Sequence, residues 1–137
     1  WQDDAAYAGF SSSKPWLPVA PEHTAMAVSV QENDPASPLA FARKIMPWRK
    51  QFPQLLHGDI VFFDAPEPVL ALKRSLPGHS DIYAAFNLGS QALSFKWPQV
   101  AAAVALEGHG LAGTAQGETV TLPAHGAWFG QSGANQS

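Results

Sequence analysis

The sequence predicts a mainly β fold with one α-helix, and three features support this prediction. From Gly58 onward, short runs of β-branched and aromatic residues alternate with Gly, Pro and Asp. Such spacing is typical of antiparallel sandwiches and barrels. Residues 34–52 carry apolar side chains at three- and four-residue intervals, which indicates the one helix. Residues 1–33 are interrupted by prolines and serines and favour a loop.

The leading loop, residues 1–33, is unusually rich in large apolar side chains. Pro15, Pro18 and Pro21 bias the residues before them away from helix. Disordered segments rarely carry so many apolar groups, and long loops in compact domains usually line a functional site. We therefore expect this loop to pack against a surface that the chain does not contain. Its large apolar residues are Trp1, Phe10, Trp16, Leu17, Val19, Met26, Val28 and Val30.

The predicted helix, residues 34–52, has two possible starts. Asp34 can cap the amino end with Pro35 at the first helical position, and Ser37-Pro38 offers the same arrangement. Pro47 is expected to kink or end the helix, because it removes a backbone donor and crowds the preceding turn. The apolar stripe consists of Leu39, Ala42, Ile45, Met46 and Phe52.

Seven β runs follow the helix, at 60–63, 69–74, 82–88, 92–97, 100–106, 119–122 and 127–129. The alanine-rich part of the fifth run, 101–105, is equally consistent with a helical turn. Glycines at 108, 110, 113 and 117 are interpreted as turns, because no phosphate-loop Lys-Ser/Thr pair accompanies them. Residues 131–137 resemble a polar tail, where Asn135-Gln136-Ser137 matches the glycosylation pattern by chance.

Composition excludes several classes of function. A length of 137 residues suits one domain, and a net charge of −3 with scattered Lys and Arg argues against nucleic acid as a partner. The absence of cysteine excludes disulfides and thiolate sites. The longest apolar run, 100–106, is far below the roughly 20 residues of a spanning helix, so no membrane partner is expected. No signal peptide opens the chain, which favours a cytoplasmic location, and the start without Met is expected to be a cut.

Two stretches resemble glycoside hydrolase family 13, the α-glucosidases and oligo-1,6-glucosidases. Trp1-Gln2-Asp3-Asp4, Ala8-Gly9-Phe10-Ser11 and Pro15-Trp16-Leu17-Pro18-Val19 resemble the loop after the last strand of that family's (β/α)8 barrel. Similar to the last barrel helix and its exit are Val28, Gln31, Asp34, Ser37, Leu39, Phe41, Trp48-Arg49-Lys50, Pro53, Leu55 and Gly58-Asp59. Pro47 and Ala42 depart from the family pattern. Phe86-Asn87-Leu88 and the stretch 122–129 are similar to its carboxy-terminal β domain.

The resemblance implies a carboxy-terminal fragment of such an enzyme. Residues 1–57 correspond to the end of the catalytic barrel, with loop 1–33 and last helix 34–52, and residues 58–137 to an antiparallel β-sandwich. The parent enzyme is expected to cleave terminal α-linked glucose from short oligosaccharides with retention, without a cofactor. Its two catalytic carboxyl groups, roughly 5 Å apart in retaining enzymes, are expected upstream of Trp1. The segment is therefore expected to be an inactive support, with the rest of the parent enzyme and its oligosaccharide substrate as partners.

Four loop residues are candidates for proximity to the substrate: Trp1, Asp3, Asp4 and Phe10. The two aromatic rings are suited either to an aromatic sugar platform or, preferably, to packing onto the barrel. The two adjacent carboxylates favour a structural or rim role over lining a sugar pocket. A metal site is not expected, since the five histidines lack the three- or four-residue spacing of paired ligands.

An alternative function is a non-catalytic, carbohydrate-binding β-sandwich. In that case Trp97 or Trp128 would contact sugar from one face of a sheet. A buried core position is the commoner situation for tryptophan on a β run. The sequence therefore favours the core interpretation for both rings.

Overall fold

The structure, a computed structural model, describes residues 1–133 and divides into two compact units, Trp1–Met46 and Pro47–Ser137. The predicted polar tail beyond 133 and the Asn135-Gln136-Ser137 pattern lie outside the described residues. The domain boundary predicted between residues 57 and 58 stays a prediction. Within residues 1–133, no helix combines the length and apolar character needed to cross a bilayer.

The first unit is mostly loop with short helical turns. It contains a 3₁₀ turn at Ala6–Gly9, the one-turn helices α1 (Pro21–Thr24) and α2 (Val28–Gln31), and the start of α3 (Pro38–Lys50). Helix α3 is thus the one long helix of the chain's described part. The prediction of an uninterrupted loop over 1–33 missed the single turns, which are too short to produce an apolar stripe.

Helix α3 begins at the second of the two predicted starts. Ser37 is buried, and its Oγ accepts the N–H of Ala40 at 3.1 Å, which is the geometry of an N-cap. Asp34 instead accepts the N–H of Ala36 at 2.8 Å and closes a turn ahead of the helix. Both side chains cap backbone donors, but only Ser37 lies next to the first helical residue.

Helix α3 continues through Pro47 to Lys50, so the expectation that Pro47 ends the helix is wrong, and the alternative of a kink stays a prediction. The turn after the proline is held from outside the helix. Trp48 is 5% exposed, and its indole Nε1 donates a hydrogen bond of 2.7 Å to the carbonyl of Glu107. Burial of this ring offsets the hydrogen bond that the proline removes.

The second unit is a β-sandwich, as predicted. After α4 (Pro53–His57), one sheet has the antiparallel order β1-β2-β3-β8-β5 and the other has the order β4-β7-β6. The strands are β1 (Asp59–Phe63), β2 (Val69–Ser75), β3 (Ile82–Asn87), β4 (Leu93–Lys96), β5 (Val104–Ala105), β6 (Thr114–Gln116), β7 (Thr119–Leu122) and β8 (Ala127–Gln131).

Six of the seven predicted strands are confirmed within a residue or two of their ends, and the fifth is mostly wrong. In place of a strand at 100–106, a 3₁₀ turn at Pro98–Val100 precedes the two-residue β5. Alanine has little β propensity, and buried Val100 holds the turn against the core. The prediction missed β6, which has three residues and little apolar character.

The core lies between the two sheets. Strands alternate as expected, since Val120 and Leu122 of β7 are fully buried while Thr119 and Thr121 are exposed. The central cluster comprises Ala71, Ala85, Phe95, Trp97, Val100, Val120, Leu122 and Trp128. These side chains come from both sheets, so the core holds the sandwich together.

The other face of the larger sheet is also apolar over β3 and β8. Phe129 of β8 packs against the rings of Trp48 and His109, each with centroids 4.9 Å away. Phe52 lies 5.0 Å from Trp48 on the same side. The end of α3 therefore covers the outer face of the sheet, which explains why β8 is buried along nearly its whole length.

Candidate functional site

The start of the loop is fixed by Ser29, at the amino end of α2. The Ser29 hydroxyl donates to Oδ1 of Asp3 at 2.7 Å, and the N–H of Asp3 donates back to the same hydroxyl at 3.0 Å. The N–H of Ser29 also donates to the carbonyl of Trp1 at 3.3 Å. These bonds give Asp3 a structural role in holding the chain end beside α2.

The hydrogen bond from Ser29, followed by backbone N–H groups, lowers the pKa of Asp3 below its ordinary value of 3.8. A carboxylate that is ionised and bonded in this way is unsuited to donate a proton at neutral pH. Asp4 is exposed beside it. The two adjacent carboxylates thus differ in environment, as the structural interpretation of Asp3 requires.

A left-handed turn brings Phe10 back towards Trp1. Tyr7, Ala8 and Gly9 have φ values of 55°, 57° and 67°, a region that only glycine enters without steric cost. The N–H of Gln2 donates to the carbonyl of Ala8 at 3.0 Å and closes the turn. Two strained non-glycine residues in succession mark a segment whose shape is imposed by its surroundings.

The turn forms one wall of an apolar cavity of about 380 Å³ within the first unit. The ring of Trp1 lies 6.3 Å from that of Phe10 and 6.2 Å from the imidazole of His23. The structure therefore brings together the two aromatic candidates. Neither Asp3 nor Asp4 lines the cavity, whose walls are Trp1, Ala8, Phe10, Pro15, Trp16, Leu17, Pro18, Val19 and His23.

Sequence reasoning missed that Trp16, Val19 and His23 share this cavity with Trp1 and Phe10. The apolar character of the first two was noticed, but no spacing rule places them opposite residues 1 and 10. His23 was considered only as a possible metal ligand. The proline spacing at 15, 18 and 21 was the available signal, because rigid residues fold a loop back on itself.

The chemistry of the cavity suits an apolar occupant. Its walls are hydrocarbon and aromatic with one imidazole, and it lacks the converging polar groups that fix a sugar or a reacting bond. Among residues 1–133, no group of three or more His, Asp or Glu is arranged to hold a metal ion.

Large apolar side chains surround the cavity and continue across the first unit. Trp16 is 90% exposed and Phe10 71% exposed. Such high exposure is unusual for large aromatic residues on the surface of a folded protein. Further exposed residues of the same unit are Trp1, Tyr7, Leu17, Met26, Val28, Phe41 and Met46. Such a concentration of exposed large apolar residues is typical of surfaces that contact another protein or a ligand.

The alternative sugar-binding residues lie in the core. Trp97 is 3% exposed and Trp128 1% exposed. Trp97 packs against Phe63 and Tyr83 with centroids 5.4 and 5.6 Å away. The core interpretation of both tryptophans is confirmed, and neither ring is accessible to an oligosaccharide.

The chain matches no protein-family model. It is 39% identical over 121 residues to a probable α-glucosidase of Rhizobium meliloti (strain 1021), a match that covers 88% of this chain and 22% of that protein. A probable oligo-1,6-glucosidase 2 of Bacillus subtilis (strain 168) is 30% identical over 94 residues, which are 67% of this chain and 16% of that protein. The chain thus spans about a fifth of the length of the curated relatives it matches.

Solved structures agree with these relatives. The α-glucosyl transfer enzyme XgtA superposes with a TM-score of 0.87 at 36% identity, over 97% of this chain and 24% of that one. The trehalulose synthase MutB from Pseudomonas mesoacidophila MX-45 superposes with a TM-score of 0.74 at 27% identity, over 95% of this chain and 24% of that one. By its β-sandwich and by these relatives, the chain belongs to glycoside hydrolase family 13 and corresponds to a carboxy-terminal portion of an enzyme of that family.

Proposed function

We propose that this chain is the supporting, non-catalytic part of a retaining enzyme that acts on terminal α-linked glucose of short oligosaccharides. The observation that carries the proposal is the apolar surface of residues 1–46, with its cavity and its 90% exposed Trp16. Such a surface fits contact with a catalytic barrel formed by the remainder of the parent enzyme. The sandwich supports that barrel mechanically.

The carboxylates of the chain fit a supporting role. Retention needs a nucleophile and an acid/base about 5 Å apart with contrasting protonation. Asp3 is bonded to Ser29, Asp81 lies 2.9 Å from Lys73, and Glu32 is bonded to Arg43. Each of these groups is occupied by a partner that keeps it ionised. The reacting pair is therefore assigned to the remainder of the parent enzyme.

We predict that the purified 137-residue chain does not hydrolyse a chromogenic α-glucoside. The measurement is release of 4-nitrophenol from 4-nitrophenyl α-glucoside, with the full-length Rhizobium meliloti relative as a positive control under the same conditions. Turnover that co-purifies with the chain, and that survives a second independent purification, would contradict the proposal.

We also predict that the apolar surface matters only where the barrel is present. In the full-length parent enzyme, Trp16→Asp should lower the thermal midpoint by several degrees, because a charge would then lie in a buried contact. In the 137-residue chain the same change should have little effect, since Trp16 is already exposed to water. Thr121→Asp, on the exposed face of β7, is the matched control. Equal effects of Trp16→Asp in both proteins would contradict barrel docking.

A further inference from the structure

Strand β1 forms one edge of the larger sheet, because among residues 1–133 it pairs only with β2. Its residues are exposed on both faces, with Ile60 at 48%, Val61 at 46% and Phe62 at 60%. Its other edge presents backbone donors and acceptors in the spacing of a strand, which is a template for pairing with another strand. The opposite edge, β5, has only two residues.

The sequence of β1 lacks the devices that usually protect an edge strand. Residues 60–63 are Ile-Val-Phe-Phe, all of high β propensity, with no Lys, Pro or Gly among them. Charges lie only outside this run, on Asp59 and Asp64. An edge of this composition is suited to extend the sheet across a second chain.

We propose that a second copy of this chain pairs with β1 in antiparallel register centred on Val61. This register pairs all five residues of β1 with residues of the other β1, and it is the one that twofold symmetry allows for the full strand. Val61 of one copy then lies opposite Val61 of the other. Ile60 of each copy lies opposite Phe62 of the other copy. The two five-stranded sheets become one continuous ten-stranded sheet.

Charge complementarity supports this register. The guanidinium group of Arg74 is fixed beside Gly58, because Nη2 and Nε donate to the Gly58 carbonyl at 2.7 and 3.2 Å. Pairing centred on Val61 places Asp64 of one copy opposite Gly58 of the other. The carboxylate of one chain thus approaches the guanidinium of its partner at both ends of the joined strands. Pairing centred on Phe62 places Asp64 opposite Ile60, and pairing centred on Ile60 places it opposite Leu56, so both lose this match.

The apolar side chains favour the same arrangement. Antiparallel partners share a face of the sheet, so the two Ile60–Phe62 pairs lie on the outer face next to Leu72, which pairs with Phe62 in β2. Aromatic and β-branched residues opposite each other are among the stabilising cross-strand pairs. Pairing would cover three residues of each copy that water now contacts. The inference does not depend on the hydrolase assignment.

Cysteine crosslinking tests the register directly, because the chain contains no cysteine. Val61→Cys places two thiols opposite each other at a separation that a disulfide can span. Under mild oxidation it should form disulfide-linked dimers severalfold faster than Val104→Cys, an exposed residue on the opposite edge. Ile60→Cys should crosslink more slowly than Val61→Cys. Equal rates at 61 and 104 would overturn the proposal.

The oligomeric state provides the second test. Light scattering and sedimentation of the 137-residue chain should show a dimer that Phe62→Lys dissociates, with circular dichroism confirming the fold of the variant. Val104→Lys and Trp16→Lys should leave the dimer intact. The proposal would be overturned if the unmodified 137-residue chain were a monomer. It would also be overturned if Trp16→Lys dissociated the dimer and Phe62→Lys did not. Dissociation by Trp16→Lys alone would show that the chain associates with itself through residues 1–46. It would not contradict the proposal that these residues contact the barrel.

Discussion

Trp48 joins the end of α3 to the sandwich through one side chain. Its indole donates to Glu107 in the connection after β5, and its ring contacts Phe52, His109 and Phe129. Contacts of this kind combine area burial with edge-to-face geometry. A single residue therefore anchors the helix turn that follows Pro47.

Replacement of Trp48 should separate the contribution of its hydrogen bond from that of its ring packing. Trp48→Phe should lower the free energy of unfolding by about 1–3 kcal/mol, through the lost hydrogen bond and reduced volume. Trp48→Ala should lower it by about 3–5 kcal/mol, because it leaves a cavity beside Phe129. Urea denaturation followed by far-UV circular dichroism measures both. Trp16→Ala is the matched control, and a loss as large there would contradict the assignment.

The pair of Lys73 and Asp81 predicts a dependence of stability on pH. Partial burial raises the pKa of Asp81, but the hydrogen bonds from Lys73 and Ser75 and the charge of Lys73 together outweigh it, so the pKa lies below the ordinary 3.8. The unfolded state then binds the proton first, and the stability contributed at neutral pH is lost as pH falls from about 5 through the lowered pKa. The hydrogen bond to Asp81 raises the pKa of Lys73 above 10.5, so its contribution is lost only above that pH.

Asp81→Asn should therefore cost up to about 1 kcal/mol at pH 7, as expected for a partly exposed ion pair. The difference from the unmodified chain should shrink as the pH falls from about 5 through the lowered pKa of Asp81. Urea denaturation at several pH values between 3 and 7 measures it. Glu118→Gln, in the exposed turn before β7, serves as the control. A difference that stays constant with pH would mean that the charge of Asp81 is not what stabilises the fold.

At the scale of elements, the sequence predicted the strands well wherever residues alternate and end at turn residues. In β7, the pattern Thr-Val-Thr-Leu reports directly which side faces the core. In contrast, 100–106 is apolar without alternation, and apolar runs of that kind do not distinguish a strand from a turn. Pro47 was misjudged for another reason. The contacts that continue the helix past it come from Glu107 and Phe129, which are far away in sequence.

Strand β8 contains a glycine required by space and not by backbone conformation. A Cβ added at Gly130 would lie 2.2 Å from the ring of Trp128, which is 1% exposed and packed in the core. Gly130→Ala should therefore lower the free energy of unfolding by about 1–3 kcal/mol. Gly133→Ala is the matched control, because a Cβ there meets nothing within 4 Å. Thermal unfolding of the two variants should differ clearly, and equal midpoints would contradict tight packing at this strand.

At the scale of the whole molecule, the sandwich was predictable from the residues, but the cavity was not. Composition and periodicity report which residues prefer burial, and they show that the leading loop is rich in large apolar side chains. They do not report that Trp1, Phe10 and His23 meet, because two of the three residues in the left-handed turn, Tyr7 and Ala8, are not types that signal a positive φ.

The distribution of tryptophans gives the chain a built-in optical reporter. Trp48, Trp97 and Trp128 are buried in one unit, while Trp1 and Trp16 are open to solvent in the other. An aqueous quencher such as iodide will extinguish the long-wavelength emission of the open pair and spare the three enclosed rings. When a partner binds to residues 1–46, this quenching should be lost and the emission of Trp1 and Trp16 should shift to shorter wavelength. The emission of the three buried tryptophans of the sandwich should not change.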